Sequence, residues 1–174
     1  MLFRSPKGIG AFYIRKGVKI ESLIHGGAQE RGKRATTENT PGIVGIGKAI
    51  ELAMAEIDTE KDRLTYLRDK LLNGLMEAIP YAKLNGPRGD KRLPNNVNIS
   101  SIGVEGETLL FDLNDAGIYV STGSACASGS LEPSHVLLAL GLKHEVAHGS
   151  LRLTLGESTT EEQVDYARSE EAHV

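Results

Sequence analysis

Residues 118–140 read IYVSTGSACASGSLEPSHVLLAL. Ile118, Tyr119 and Val120 make a short apolar, β-prone run, and Ser134 after Pro133 can cap a helix carrying Val136, Leu137 and Leu140. Between them lies STGSACASGSLEP, 121–133, in which seven Ser, Thr and Gly residues surround Cys126, the only cysteine of the chain. A strand that empties into a small-residue loop and resumes as a helix is an α/β pattern. The thiol is then either an idle packing group, the commoner fate of a free cysteine, or a nucleophile on a mobile arm. Ser, Gly and Ala neighbours offer little packing and much backbone freedom, which favours exposure. A free thiol has a pKa of ~8.5, and no neighbour in sequence is an obvious base to generate the thiolate.

Working outward, Leu151, Leu153 and Leu155 alternate with Arg152 and Thr154, so the leucines face a core and Arg152 faces away. Thr159 with Glu162 has the spacing of a capping box for a final helix. On the other side, Leu109, Leu110 and Leu113 predict a helix over 105–116, and 81–84 and 96–100 read as strands around the turn-rich NGPRGDKRLPN. The expected architecture from about residue 75 onward is a compact α/β sandwich. Before it, Ile43, Ile46, Ile50, Ala53 and Ile57 recur at helical spacing after Thr40, read as the N-cap, and Pro41. The pattern resumes with Leu64, Leu67, Leu71 and Leu75, predicting one bent helix or two in series. GIGAFYIR, 8–15, and the alternating run 18–24 read as two strands that could not be stable alone. HGGAQERGKRATTEN, 25–39, reads as a loop.

Composition excludes several classes. The chain of 174 residues is 40% hydrophobic and 25% charged, enough to bury a core, and its net charge of -3 with interspersed signs gives no basic patch for nucleic acid. No apolar run approaches the ~18 residues of a membrane helix. A single cysteine rules out an intramolecular disulfide framework, so the expected compartment is the reducing cytosol.

Three further groups could carry chemistry. Arg152, on the polar face of a leucine-rich strand, suits bidentate capture of a carboxylate, the alternative being a solvent-facing arginine on a one-sided sheet. Arg31, Lys33 and Arg34 with the hydroxyls of Thr36 and Thr37 could hold a phosphate or form a solvated basic turn. HEVAH, 144–148, matches the HExxH pattern of zinc proteases, but Gly141 and Gly149 leave room for only about two turns of helix. The match needs a longer helix and a third ligand downstream, for which Glu170 or Glu171 is the candidate, so it reads as coincidence. His25 and His135 have no assigned role.

PKGIGAFYIR, HGGAQERGKRATTENTPGIVGIGKA, STGSACASGSLEPSHVLLALGL and HEVAHGSLRLTLGESTTEEQVDYA resemble, in order, four blocks of the cysteine desulfurases of the NifS/IscS type. These are pyridoxal 5'-phosphate enzymes of aminotransferase-like fold, type I, class V. The resemblance covers nearly the whole chain. It implies that Cys126 is the cysteine that takes the sulfur of L-cysteine as a persulfide, that Arg152 anchors the substrate carboxylate, and that Thr37 binds the cofactor phosphate across a homodimer interface. A loop able to move would carry sulfur to an acceptor or iron-sulfur scaffold protein. HEVAH becomes the lead-in to the arginine strand and binds no zinc.

One departure concerns the family's HK-x-x-GPKG pattern, whose lysine carries the cofactor four residues before the proline. Counting back from Pro6 puts Leu2 at that position and Met1 at the histidine, and Lys7 matches a different residue. A leucine cannot form a Schiff base. The resemblance therefore implies the C-terminal portion of a desulfurase, from a truncated frame, a split gene or a partial chain, inactive alone. Its expected domains are a large-domain remnant over 1–39, a connecting helix over 40–75 and a small α/β domain over 76–174. The rival readings are a non-catalytic interaction or sulfur-relay module, one half of a split enzyme, and, remotely, a zinc hydrolase.

Overall fold

A computed structural model describes residues 5–122 and 132–171. The chain divides into two compact units, 2–57 and 58–174. In chain order the elements are α1 (Gln29–Gly32), α2 (Thr40–Ala78), β1 (Ala82–Leu84), a 3-10 turn (Gly89–Lys91), β2 (Asn96–Ser101), α3 (Gly106–Asp115), β3 (Ser121–Thr122), α4 (His135–Ala139), α5 (His144–His148), β4 (Ser150–Thr154) and α6 (Glu161–Glu171).

The first unit departs from its sequence pattern. Among the described residues, 5–39 contains no strand, and Phe12, Tyr13 and Leu23 are exposed. Apolar alternation over 8–24 satisfies only the side-chain half of a strand; the other half is a partner for the backbone, and no ladder forms here. The segment from Ile43 to Leu75 is one helix. Its cap is Asn39, one residue before Thr40: the Asn39 Oδ1 accepts from the Gly42 amide at 3.2 Å.

The second unit is built on a four-stranded antiparallel sheet of order β1-β2-β4-β3. Period-two alternation sends Val97, Ile99, Leu151 and Leu153 to one face, where they pack with Leu64, Leu67, Leu71, Leu72 and Leu75 of α2, Leu109 and Leu113 of α3, and Val164 of α6. The helices cover that face because α2 and α3 present leucine-rich stripes at helical spacing and α6 presents Val164 and Ala167. Gly149 and Gly106 let the backbone close up at one edge. A Cβ on Gly149 would run into the Ser101 carbonyl and lie 2.6 Å from that of Val104, and one on Gly106 would lie 2.7 Å from the His148 carbonyl.

The turn between β4 and α6 is held by Arg63 of α2, whose Nη1 donates to the Thr159 carbonyl at 2.8 Å and Nη2 to those of Gly156 and Glu157 at 3.1 and 3.0 Å. The capping box of α6 is Thr160 with Gln163, at 3.0 and 3.3 Å, one residue beyond the expected pair. Thr159 is otherwise engaged, its hydroxyl accepting from the Gly156 amide at 2.9 Å.

Candidate functional site

Arg152 stands at the centre of β4, and its neighbours Leu151 and Leu153 are buried while it is exposed on the opposite face. The sheet register places Asn98 of β2 on one side of it and Ser121 of β3 on the other. The Arg152 Nη2 donates to the Ser121 Oγ over a long 3.4 Å, and the Ser121 hydroxyl in turn donates to the Thr122 carbonyl at 3.2 Å. Among the described residues no carboxylate forms an ion pair with Arg152. A guanidinium with one weak partner, facing outward from a rigid sheet, can receive a planar oxyanion through two parallel hydrogen bonds.

The strand paired to Arg152 is the one that enters the cysteine loop. β3 ends at Thr122, and Cys126 itself lies outside the described residues, as does Leu2. The short strand falls at Ser121–Thr122 rather than at 118–120, because pairing with Leu151 and Arg152, not apolar composition, selects the residues that enter the ladder.

Thr37 belongs to the 2–57 unit and is exposed. It follows Ala35, which is buried and tied by its amide to the Ile24 carbonyl at 3.2 Å, and Thr36, whose φ of 86° lies in the left-handed region. For a β-branched residue that backbone is strained. The Arg34 Nη1 donates to the Ala35 carbonyl at 3.2 Å and to the Thr36 hydroxyl, which holds the turn in shape. An exposed hydroxyl beside Lys33 and Arg34 is a donor set that fits a phosphate group. Arg152 and Thr37 thus lie in separate units.

HEVAH forms the five-residue helix α5. The His144 and His148 rings lie 5.8 Å apart, and the His144 Nε2 is 3.6 Å from a Glu132 carboxylate oxygen. Among the described residues no group of three His, Cys, Asp or Glu side chains is arranged to hold a metal ion.

Residues 3–167 match the family model of aminotransferase class-V. The chain belongs to that family. A cysteine desulfurase IscS of Clostridium botulinum strain Hall is 65% identical over 165 residues, 94% of this chain and 42% of the relative, and one of Methanosarcina thermophila is 61% identical over 163 residues, 94% of this chain and 40% of the relative. A solved NifS-like protein superposes with a TM-score of 0.84 at 41% identity, covering 98% of this chain and 43% of that one, and a NifS-like protein from Rickettsia africae gives 0.75 at 27% identity over 88% and 39%. The chain spans about two-fifths of the length of the curated relatives it matches. It is an α/β portion of the class-V aminotransferase fold, a family that uses pyridoxal phosphate. No helix among the described residues is long and apolar enough to cross a membrane.

Sequence reasoning singled out Arg152 and missed the two residues beside it. Asn98 sits on the polar face of NVNIS by simple alternation, and Ser121 belongs to the cysteine block, yet their adjacency to Arg152 comes from pairing between strands about 30 to 55 residues apart, which no local pattern encodes.

Proposed function

We propose that this chain is the sulfur-accepting portion of a cysteine desulfurase, with Cys126 as the acceptor thiolate, Arg152 as the anchor for the α-carboxylate of L-cysteine, and Thr37 as a donor to the cofactor phosphate. The observation that carries the reading is the β3–β4 register, in which Ser121, five residues before Cys126, pairs with Arg152. Five residues span at most about 17 Å of extended chain. The carboxylate anchor and the thiol are thereby tethered to two paired strands, so that substrate held at one lies within that span of the other.

Pyridoxal phosphate, when bound, supplies the electron sink that labilises the substrate. This chain's own groups hold the carboxylate at the Arg152 Nη atoms, hold phosphate at the Thr37 hydroxyl with Lys33 and Arg34 nearby, and take sulfur at the Cys126 thiolate. Leu2 stands where the family carries its cofactor lysine, so covalent anchoring of the cofactor has to come from elsewhere. In this reading 76–174 is the small domain, 40–75 the connecting helix and 1–39 part of the large domain. The working form takes its cofactor lysine from the part of the family's length that this sequence does not span, and dimerises. The reading takes the cytoplasm as its compartment, in keeping with a single cysteine in the sequence. Its product sulfur goes to an acceptor or scaffold protein for iron-sulfur clusters or thio-cofactors.

The test separates sulfur activation from sulfur acceptance. The full chain incubated with L-cysteine and pyridoxal phosphate is expected to release no sulfide, and to release it once a lysine-bearing N-terminal half is added. With glutathione persulfide as donor, the Cys126 thiolate attacks the outer sulfur, the donor S–S bond breaks, its electron pair leaves with glutathione thiolate, and one sulfur atom is added to the protein mass. Loss of that adduct in Cys126→Ser is expected. Turnover by the chain alone, or a thiol in the folded chain that takes no sulfur, overturns the proposal.

A further inference from the structure

Asn98 is directly opposite Arg152 in the β2–β4 ladder, and its amide is held by a second asparagine. The Nδ2 of Asn85, a residue only 4% exposed at the end of β1, donates to the Asn98 Oδ1 at 2.7 Å and to the Ser100 Oγ at 2.8 Å. Backbone bonding reinforces the placement, since the Asn85 amide donates to the Asn98 carbonyl at 2.9 Å. β1 and β4 flank β2 on opposite sides. An Asn98 oxygen drawn toward the β1 side therefore turns the amide nitrogen toward β4 and Arg152.

The alternative amide orientation is poorer. As placed, the only buried polar atom of Asn85 without a partner is its Oδ1. Exchanging the oxygen and nitrogen of both asparagines would keep the contacts to Asn98 and Ser100 but leave the two N–H bonds of Asn85 buried and unpaired. An orphaned acceptor is tolerated better than orphaned donors. The network thus selects an Asn98 that presents N–H groups.

Two donors now stand side by side, the Asn98 amide and the Arg152 guanidinium. Neither can bond the other, and no described residue accepts from the Asn98 amide nitrogen. Among the described residues none accepts from both, and an external acceptor can. We propose that Asn98, fixed by Asn85 and Ser100, is a second binding residue for the substrate α-carboxylate, donating one hydrogen bond to a carboxylate oxygen while Arg152 holds the group through its guanidinium. This rests on the reading of Arg152 as the carboxylate anchor and adds the residue that fixes the carboxylate plane. Ser121 completes the row by restraining the guanidinium from the β3 side.

The experiment is an NMR titration of the full chain with sodium acetate at constant ionic strength maintained with chloride. The Asn98 side-chain NH2 and Arg152 Nε–H signals are expected to shift together along one saturation curve. Asn98→Ala is expected to weaken acetate about fivefold, and Asn98→Asp, which keeps the shape and the bond from Asn85 but puts a carboxylate beside Arg152, to abolish the response at Arg152. Urea unfolding midpoints of both variants check that the sheet is intact. A response at Arg152 with an unmoved Asn98 amide, or unchanged affinity in folded Asn98→Ala and Asn98→Asp, overturns the role of Asn98 and leaves Arg152 standing. No acetate response at Arg152 in the wild type overturns the carboxylate anchor and this inference with it.

Discussion

Truncating Arg63 to alanine tests how the sheet that carries Arg152 is kept in register with α6. Arg63 donates to the carbonyls of Gly156, Glu157 and Thr159 and, through Nε and Nη2, to Glu60 at 2.8 and 2.9 Å. A buried hydrogen bond to a charged group contributes about 1.5–3 kcal/mol. The Arg63 side chain is 33% exposed, so water replaces part of what is lost, and the expected cost of Arg63→Ala is about 2 kcal/mol rather than the sum of its bonds. With a urea dependence of about 2 kcal/mol/M, the unfolding midpoint followed by circular dichroism falls by about 1 M. Arg63→Lys keeps the charge beside Glu60, but one ammonium cannot span three carbonyls, so less than half of the loss returns. The Arg63 hydrogen bond holds the Glu60 carboxyl below its ordinary range, against the opposing effect of burial. Its stabilisation is fully present above the unfolded carboxylate pKa of about 4.3 and disappears as pH falls through the lower folded value. Wild type therefore loses stability more steeply below pH ~4.3 than Arg63→Ala does. A midpoint shift under about 0.3 M for the alanine variant, or full recovery by lysine, refutes the clamp.

Gly149→Ala is expected to cost more than about 2 kcal/mol in the same urea assay, because the added methyl meets the backbone carbonyls of Ser101 and Val104, which cannot rotate away as side chains could. Thr160→Ala removes one half of the α6 capping box and is expected to cost about 1 kcal/mol, while Thr159→Ala, which breaks the contact to Gly156, leaves the helix amides of α6 protected in hydrogen exchange. Asp165 and Glu161 are held below the ordinary carboxylate range chiefly by hydrogen bonds from Lys70. Lys70→Met should raise the titration midpoints of both by NMR, and half-molar salt should shrink the wild-type difference because both carboxylates are about half exposed.

The leucine face of the sheet is sealed, while on the other face Arg152 is exposed and Ser100 and Ser150 are buried. Helices seal the leucine face, so the strands are fixed by the core while the opposite face is left for Asn98, Arg152 and Ser121 to act in a row. Rigid strands position such groups better than loops do, because the strands are fixed by the core beneath them.

Much of this was legible in the residues themselves. Alternation in SLRLTL sends Arg152 to the face away from the leucines because successive strand side chains point to opposite sides, and leucines from Leu64 to Leu75 mark a buried helix stripe whatever they pack against. The ordered blocks around Cys126 and Arg152 carried the family. Capping was legible only to within a residue: Asn39 and Thr40, like Thr159 and Thr160, are adjacent candidates, and the one that caps is decided by where the chain enters the helix and by which hydroxyl another amide has already taken. The apolar runs of 8–24 show the opposite limit, since a strand exists only when another segment accepts its backbone bonds. The same physics hides Asn98 from the sequence. Its alternation is local, but its place beside Arg152 and the turn of its amide depend on β2–β4 register and on Asn85, just past the end of β1, contacts that only the assembled sheet brings together.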